Sequence, residues 1–301
     1  MILCLESGGT KLVAAKADLT GRIIRRMVGQ RAPDQTAITT LDQLVELGRE
    51  VLEGIRPDAV SLGFGGIMNR RSGLPERCYH EDGWEGLDAS GRLRDSFGQA
   101  RVFIENDCNL AALAEARKGV GCPDGTLLYL TMGTGIGGGV VRRGALLELG
   151  TYGEIEIGHC VVKPEGVRCP CGNQGCLETV CSGPGLAHLA LDEFGADLDS
   201  HRIMQGLSSG RPLESAIADR AAALVAGPLA VAINMISPDV VVFGGGMMEH
   251  NPAYLKLVAD RTRPQVFPPF REGLTFHLSE LKQEVVCQGA ALWAIQNLPS
   301  T

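Results

Sequence analysis

The chain has 301 residues, of which 45% are hydrophobic and 21% are charged, and its formal charge is −7. A chain of this length has room for two domains and a large core, and its composition excludes disordered and fibrous proteins. Negative charge is the wrong sign for a protein that neutralises phosphate backbones, so nucleic-acid binding is disfavoured.

The apolar segments and the cysteines bear on whether the protein is secreted, membrane-spanning or cytoplasmic. Residues 1–5 carry no basic segment and their apolar run stops at Glu6, so we expect no secretory signal and a cytoplasmic location. The longest nearly apolar run, 221–236, is shorter than a membrane span and contains Gly227 and Pro228, so it predicts a buried helix. The ten cysteines are therefore expected to be thiols or metal ligands rather than disulfides.

Short apolar strands and glycine turns begin the chain as a β-meander. The pattern predicts strands at 2–5, 12–17, 22–28, 59–62 and 101–105, and helices at 40–55 and 107–117. The stretch 63–98 is rich in glycine and polar residues, so we expect a long substrate-facing loop there.

The same pattern restarts near residue 126. A strand at 126–131, a glycine turn at 133–139 and a strand at 140–143 repeat the order of the opening, which suggests two halves built on one plan. The remaining residues predict helices at 184–194, 201–206, 213–236, 252–262 and 287–297, and strands at 240–243 and 274–278.

The strongest local signal is a C-x-C-x4-C cluster with a histidine ten residues upstream: His159, Cys169, Cys171 and Cys176. Three thiolates and one imidazole form a closed tetrahedral zinc site, and four protein ligands leave no open position for a substrate. The cluster therefore predicts structural zinc. The alternative is that three free cysteines lie close together in a loop by chance.

Three glycine loops follow predicted strands. They are Gly8, Gly9, Thr10 and Lys11; Gly133, Thr134 and Gly135 with the glycines after them; and Gly244, Gly245 and Gly246. Successive backbone N–H groups in such turns form an anion-binding concavity, and the missing Cβ atoms let phosphate approach closely. A single loop of this kind would only indicate a hairpin, but three of them favour a nucleotide.

Two other phosphate-binding motifs were considered for these loops. Gly133, Gly135 and Gly138 have the spacing of the dinucleotide fingerprint, which would indicate a hydride-transfer enzyme. That motif must open a helix, whereas 139–144 has the pattern of a strand and a turn. The loop at 8–11 lacks the upstream glycine and the following helix of a Walker loop.

Several carboxylates have an ordinary structural interpretation when each is taken alone. Asp107 joins a strand to a helix and is typical of a helix N-cap. Glu156 and Glu178 flank the cysteine cluster and would be surface carboxylates.

Together these motifs resemble the ROK family of sugar kinases and related sugar-responsive repressors, whose fold is the α/β two-domain actin-like ATPase (ribonuclease H-like) fold with duplicated halves. The match runs nearly end to end, over 6–11, 105–109, 132–139, 156–159, 169–178 and 242–246. It implies a smaller domain of 1–119 plus 287–301, a larger domain of 120–286, and a cleft between them.

The resemblance implies phosphorylation of a sugar hydroxyl by ATP. Asp107 would be the general base, and Glu6 would help to place Mg²⁺ through water. His159 would bind zinc through one ring nitrogen and face the sugar with the other. The implied sugar-binding residues are Gly65, Gly66, Asn106, Asp107, Glu156, His159 and Glu178, and the three glycine loops would hold ATP.

Two departures from the family pattern bear on the sugar. Glu6 replaces the usual aspartate, as in fructokinase-like members, and His80 stands where an asparagine commonly contacts the sugar. Glu156, His159 and Glu178 suit a pyranose with several equatorial hydroxyls. We therefore predict a glucose-type aldohexose or an N-acetylhexosamine, phosphorylated at the 6-hydroxyl, with a fructokinase as the alternative.

Two non-enzymatic functions, a repressor and a non-catalytic sugar-binding regulator, predict different sequence features. A repressor of this family would carry a helix-turn-helix domain ahead of the first phosphate loop, which here begins at Glu6. A non-catalytic sugar-binding regulator would lack the base or the phosphate loops. The expected partners are a sugar and ATP, with no nucleic acid and no membrane, and we expect a homodimer.

Overall fold

The computed structural model describes residues 1–32, 35–153 and 155–299. The strands are β1 Ile2–Ser7, β2 Lys11–Ala17, β3 Ile23–Gln30, β4 Ala59–Phe64, β5 Ile67–Asn69, β6 Leu74–Arg77, β7 Arg101–Asn106, β8 Thr126–Met132, β9 Ile136–Arg142, β10 Ala145–Leu146, β11 Val240–Gly244 and β12 Thr275–Leu278. The α-helices are α1 Ala37–Leu52, α2 Ala89–Ser96, α3 Asp107–Lys118, α4 Leu177–Cys181, α5 Gly183–Phe194, α6 Ser200–Ser208, α7 Pro212–Ile236, α8 Pro252–Thr262, α9 Pro268–Arg271 and α10 Val285–Asn297.

The first sheet has the strand order β3-β2-β1-β4-β7. β1 and β2 pair antiparallel as a hairpin, whereas β4 runs parallel to both β1 and β7. The register aligns Ser7 with Phe64 and Phe64 with Asn106, which are the last residues of the three parallel strands. The loops that follow these strands therefore begin at one edge of the sheet, where open α/β sheets bind their ligands.

The second sheet repeats this plan. β8 lies between its antiparallel hairpin partner β9 and the parallel strand β11, and β12 pairs parallel to β11. The register aligns Thr131 with Gly244, so the second and third glycine loops also start at one edge. The repeated order agrees with the expectation of two halves built on one plan.

Both faces of the first sheet are covered because its strands are apolar on both sides. Leu3 and Leu5 of β1 pack with Leu41 and Leu44 of α1 in one buried cluster. The alternate residues of β1, Ile2 and Cys4, belong to a second cluster with Ala290 and Ala291 of α10. Successive side chains of a strand point to opposite faces, so a fully apolar run predicts a central strand.

The chain divides into two compact units. The first is Met1–Ala114, Ala145–Glu154 and Gln283–Thr301, and the second is Glu115–Gly144 and Ile155–Lys282. This division places the segment 145–154 with the first unit, whereas the expected domain ranges assigned it to the larger domain.

Two predicted elements differ from the structure. The stretch 63–98 is more regular than a loop, because it contains the β5-β6 hairpin and α2. The predicted turn at 133–139 is shorter, since Ile136 already begins β9. The strand is closely packed at Gly138, where a Cβ would lie 3.1 Å from the Tyr129 carbonyl oxygen.

The apolar run near residue 221 lies within α7, which continues through Pro228 and has 25 residues. Within the described ranges, α7 is the one helix long and apolar enough to cross a membrane, and half of its most apolar window is buried. Core helices pass the same test, so this property is weak evidence for a span.

Candidate functional site

The first glycine loop is a tight turn between β1 and β2. The Gly8 N–H donates to the Lys11 carbonyl at 3.1 Å, and a Cβ at Gly8 would lie 2.9 Å from that oxygen. Gly9, Thr10 and Lys11 are exposed, so the turn is accessible to a ligand. The turn thus offers backbone donors and one cation to an anion such as phosphate.

Asn106, rather than Asp107, caps α3. Its Oδ1 accepts from the backbone N–H groups of Cys108 at 2.9 Å and Asn109 at 3.1 Å. Asp107 is the first residue of the helix, and its Oδ1 accepts from the Cys108 N–H at 2.8 Å. The interpretation of Asp107 as an N-cap was therefore wrong, because the strand ends one residue before the cap position it assumed.

Two glycines border the Asp107 carboxylate and the turn beside it. A Cβ at Gly65 would lie 3.5 Å from Asp107 Oδ2 and 3.2 Å from the Ser7 carbonyl oxygen. The Asn106 amide donates to the Gly66 carbonyl at 3.2 Å, and a Cβ at Gly66 would lie 2.6 Å from the Arg77 carbonyl oxygen. Glycine at position 65 keeps space beside Asp107 Oδ2, whereas glycine at position 66 is required by the close approach of the Arg77 carbonyl and the Phe64 ring.

Glu6 and Asp107 are neighbouring carboxyl groups with raised pKa values. Burial, together with the nearby charge of Asp107, raises the pKa of Glu6 to about 7. Burial also raises the pKa of Asp107, against the opposing effect of its hydrogen bonds with Cys108. Carboxyl groups with pKa values shifted toward neutrality are typical of sites that bind cations or transfer protons.

A buried ion pair supports the turn that carries Asp107. Arg70 Nη1 and Nη2 each donate to one oxygen of Glu105 at 3.0 Å. Glu105 Oε1 also accepts from the Asn106 N–H and from the Asn109 side-chain amide, both at 2.9 Å. The Glu105 carboxylate thus fixes both ends of the turn around Asp107.

We expect Arg70→Met to lower the free energy of unfolding by roughly 3 kcal/mol, because it leaves the buried Glu105 carboxylate without its cation. Urea unfolding measures the change. Arg71→Met is the matched control, since Arg71 is exposed, and it should change stability by less than about 0.5 kcal/mol. Equal losses in the two variants would contradict a special role for the pair.

In the second unit, the second and third glycine loops contact each other. The Met247 N–H donates to the Met132 carbonyl at 3.1 Å, and Gly245 has a φ of +86° with no room for a Cβ beside Met132. Gly133 accepts from the Gly183 N–H at 2.7 Å, at the start of α5. Helix N-termini and glycine turns both attract anions, so this region also suits phosphate.

The predicted metal ligands converge in the second unit. The donor atoms of His159, Cys169, Cys171 and Cys176 all lie within 4.8 Å of one another. His159 Nδ1 is 3.5 Å from Cys169 Sγ, and the sulfurs of Cys171 and Cys176 are 3.6 Å apart. A tetrahedral zinc ion with ordinary bond lengths requires separations of about 3.5 and 3.8 Å, so the cluster fits zinc.

The metal cluster lies next to two residues predicted to bind the sugar, Glu156 and Glu178. His159 directs Nδ1 toward the cysteines and Nε2 toward Glu156, whose Oε2 is 3.6 Å away. Cys176 is the N-cap of α4, and Glu178 on that helix accepts from the Ile136 N–H at 2.9 Å. A metal at this point would therefore orient both carboxylates through the residues next to its ligands.

The family model named ROK family matches residues 2–297. The chain belongs to the ROK family. Among relatives, a glucokinase from Thermotoga maritima is 26% identical, with 96% of each chain covered. A kanosamine kinase from Amycolatopsis mediterranei is 35% identical over 68% of this chain and 69% of its own.

A solved structure gives the same result. The ROK family glucokinase from Streptomyces griseus, crystallised with glucose and AMPPNP, has a TM-score of 0.84 and 26% identity, covering 98% of this chain and 99% of its own. The predicted family and the two-domain actin-like ATPase fold are confirmed.

The sequence interpretation did not identify Arg31, Arg70, Glu81 or Glu105 as site residues. Arg70 and Glu105 are 35 residues apart, and their pairing depends on the β5-β6 hairpin, in a stretch for which the sequence predicts a loop. The available signal was Glu105 itself, a charged residue at the end of an apolar strand.

Proposed function

We propose that this ROK family protein is an ATP-dependent sugar kinase that transfers the γ-phosphate to a hexose hydroxyl. The observation that carries this proposal is the position of Asp107, a carboxylate with a raised pKa at the sheet edge where the first phosphate loop begins. The names of the glucokinase and kanosamine kinase relatives support a sugar as acceptor.

The proposed mechanism needs one base and a fixed acceptor. Asp107 Oδ1 is held by the Cys108 N–H, while Oδ2 faces the space kept open by Gly65. Oδ2 accepts the proton of the sugar hydroxyl as the hydroxyl oxygen attacks the γ-phosphorus in line, while the bond from that phosphorus to the β,γ-bridging oxygen breaks and ADP leaves. The raised pKa of Asp107 makes the carboxylate a better proton acceptor near neutral pH.

The donor set near the first loop fits a magnesium ion. Glu6 and Asp107 offer hard carboxylate oxygens, the ligand type that Mg²⁺ prefers, and Lys11 adds a cation for phosphate. When bound, Mg²⁺ neutralises charge on the transferring phosphate. We assign to Glu6 the role of holding the ion through water, and we assign the Cys and His cluster to structural zinc.

The proposed acceptor is a glucose-type aldohexose or an N-acetylhexosamine, phosphorylated at the 6-hydroxyl. Glu156, His159 and Glu178 supply acceptors and a donor suited to equatorial hydroxyls. Glu178 Oε2 already accepts from the Ile136 N–H, so Oε1 is the oxygen assigned to the sugar.

ADP release with glucose, mannose, N-acetylglucosamine, N-acetylmannosamine and fructose, with and without Mg²⁺, tests the proposal. We expect the highest kcat/KM for one of the aldohexoses. The 6-deoxy analogue of that sugar should inhibit competitively without ADP release. A higher kcat/KM for fructose would instead favour the fructokinase alternative, and no sugar-dependent ADP release would refute the kinase.

The pH dependence of the reaction follows from the two carboxyl groups. Both must be ionised to act, and both pKa values are raised, so kcat/KM should fall as the pH drops below about 7. Glu6→Gln removes the group that titrates near neutrality. We expect a lower plateau and an acid limb displaced to lower pH, measured as kcat/KM between pH 5 and 9; an unmoved limb would contradict the assignment.

The expected domain boundaries, the cytoplasmic location, the homodimer and the lack of a nucleic-acid or membrane partner remain predictions. Size-exclusion chromatography with light scattering tests the dimer directly. The proposed repertoire of partners is a sugar and ATP.

A further inference from the structure

A second buried ion pair joins two segments of the first unit. Arg31 and Glu81 are separated by 3.2 Å, and their side chains are 8% and 1% exposed. Arg31 follows the edge strand β3, and Glu81 lies in the segment after β6, 50 residues later. Burying an unpaired charge costs free energy, so removing either side chain would destabilise the protein by leaving the other as an isolated buried charge.

Arg31 contacts the first phosphate loop at two points. Its backbone N–H donates to the Thr10 carbonyl at 3.2 Å, and its Nη1 donates to the Gly8 carbonyl at 3.2 Å. These two carbonyls belong to the turn whose N–H groups are assigned to phosphate. Movement of Arg31 would therefore change the shape of that turn.

The same guanidinium holds the segment that carries His80. Arg31 Nη2 donates to the His80 carbonyl at 3.4 Å and pairs with Glu81. Glu81 in turn accepts from the Trp84 ring N–H at 2.5 Å and from the Thr40 hydroxyl. The segment 80–84 is thus fixed to α1 and to Arg31 together.

Trp84 links Glu81 to the strand end that precedes Gly65 and Gly66. Its ring packs on Phe64 with centroids 4.6 Å apart, and Phe64 directly precedes Gly65 and Gly66. A continuous path of hydrogen bonds and one ring contact therefore runs from the first phosphate loop through Arg31, Glu81 and Trp84 to Phe64, which precedes the glycines assigned to the sugar.

We propose that Arg31 and Glu81 are positioning residues that hold the first phosphate loop and the segment 80–84, which supports the glycines beside Asp107, in one geometry for phosphoryl transfer. The inference rests on the proposed kinase function. In-line transfer requires the acceptor oxygen and the phosphorus to be within about 3.5 Å, and small misplacements can cost up to about 100-fold in rate. A planar guanidinium can bond both segments at once, whereas a lysine ammonium cannot match its fork.

Arg31→Lys tests the proposal because it keeps the charge beside Glu81 and loses the fork. We expect KM for ATP and KM for the sugar both to rise about five-fold or more, and kcat to fall about ten-fold. The melting temperature identifies any loss of folded protein. Arg25→Lys is the matched control, since Arg25 lies on β3, the strand that Arg31 follows, and pairs with the exposed Glu53; its kinetics should equal those of the wild type.

The possible results distinguish failure of the positioning role from failure of the proposed kinase function. A wild type without sugar-dependent ADP release refutes the kinase and this inference with it. A wild type that turns over, with Arg31→Lys keeping both KM values and kcat within two-fold, refutes only the positioning role. A change confined to one substrate refutes the joint action on two segments. A lower melting temperature with unchanged kinetics shows a purely structural pair.

Discussion

Asp107→Asn should lower kcat roughly 10² to 10⁴-fold while the dissociation constant of the sugar changes little. The amide has nearly the shape of the carboxylate and can still accept from the Cys108 N–H, so the helix start is retained. It cannot accept the proton of the attacking hydroxyl, which is the usual contribution of a positioned base. Steady-state ADP release and calorimetric titration with the sugar measure the two quantities.

Asn106→Ala is the comparison that separates catalysis from helix capping. Because Asn106 Oδ1 accepts from two N–H groups at the start of α3, its loss should lower stability by about 1 kcal/mol. Asp107→Asn should leave the melting temperature almost unchanged. The opposite result, with full turnover and reduced stability in Asp107→Asn, would reassign Asp107 to a structural role.

The parts of the site that depend on local chain geometry could be predicted from the sequence. Apolar runs ending in glycine identified β1, β8 and β11, because a buried strand and the turn after it both leave local signals. The metal cluster could also be predicted, because three of its four ligands lie close together in the sequence with a spacing typical of zinc sites. Parallel strands then place the ends of β1, β4 and β7 at one edge, and so bring the predicted residues together.

Two kinds of feature could not be predicted from the sequence: those that depend on the exact residue at which a strand ends, and ion pairs between residues far apart in the chain. The choice between Asn106 and Asp107 as the cap depends on where the strand ends, which residue patterns define only within a few positions. Arg31 with Glu81 and Arg70 with Glu105 are charged residues among many, and only tertiary structure selects the partners. The sequence contains 28 basic and 35 acidic residues, so composition leaves very many pairings open.

Cys171→Ser should abolish stoichiometric zinc binding and weaken sugar binding. The His159–Cys169 and Cys171–Cys176 donor separations match those of a tetrahedral zinc ion, and a serine hydroxyl does not replace a thiolate in such a site. Structural zinc can contribute on the order of 10 kcal/mol to its local fold. Elemental analysis of protein purified without added metal should give about one zinc per wild-type chain and much less in the variant.

The loss of sugar affinity follows from where the ligands lie. His159 faces Glu156 with Nε2, and Cys176 caps the short helix that carries Glu178, so losing the metal releases both carboxylates. Cys160→Ser is the matched control, because Cys160 follows His159, is exposed and is outside the ligand set. It should keep zinc and sugar affinity. Wild-type protein without zinc, or Cys171→Ser with unchanged sugar affinity, would show that the cluster does not orient the sugar ligands through a metal.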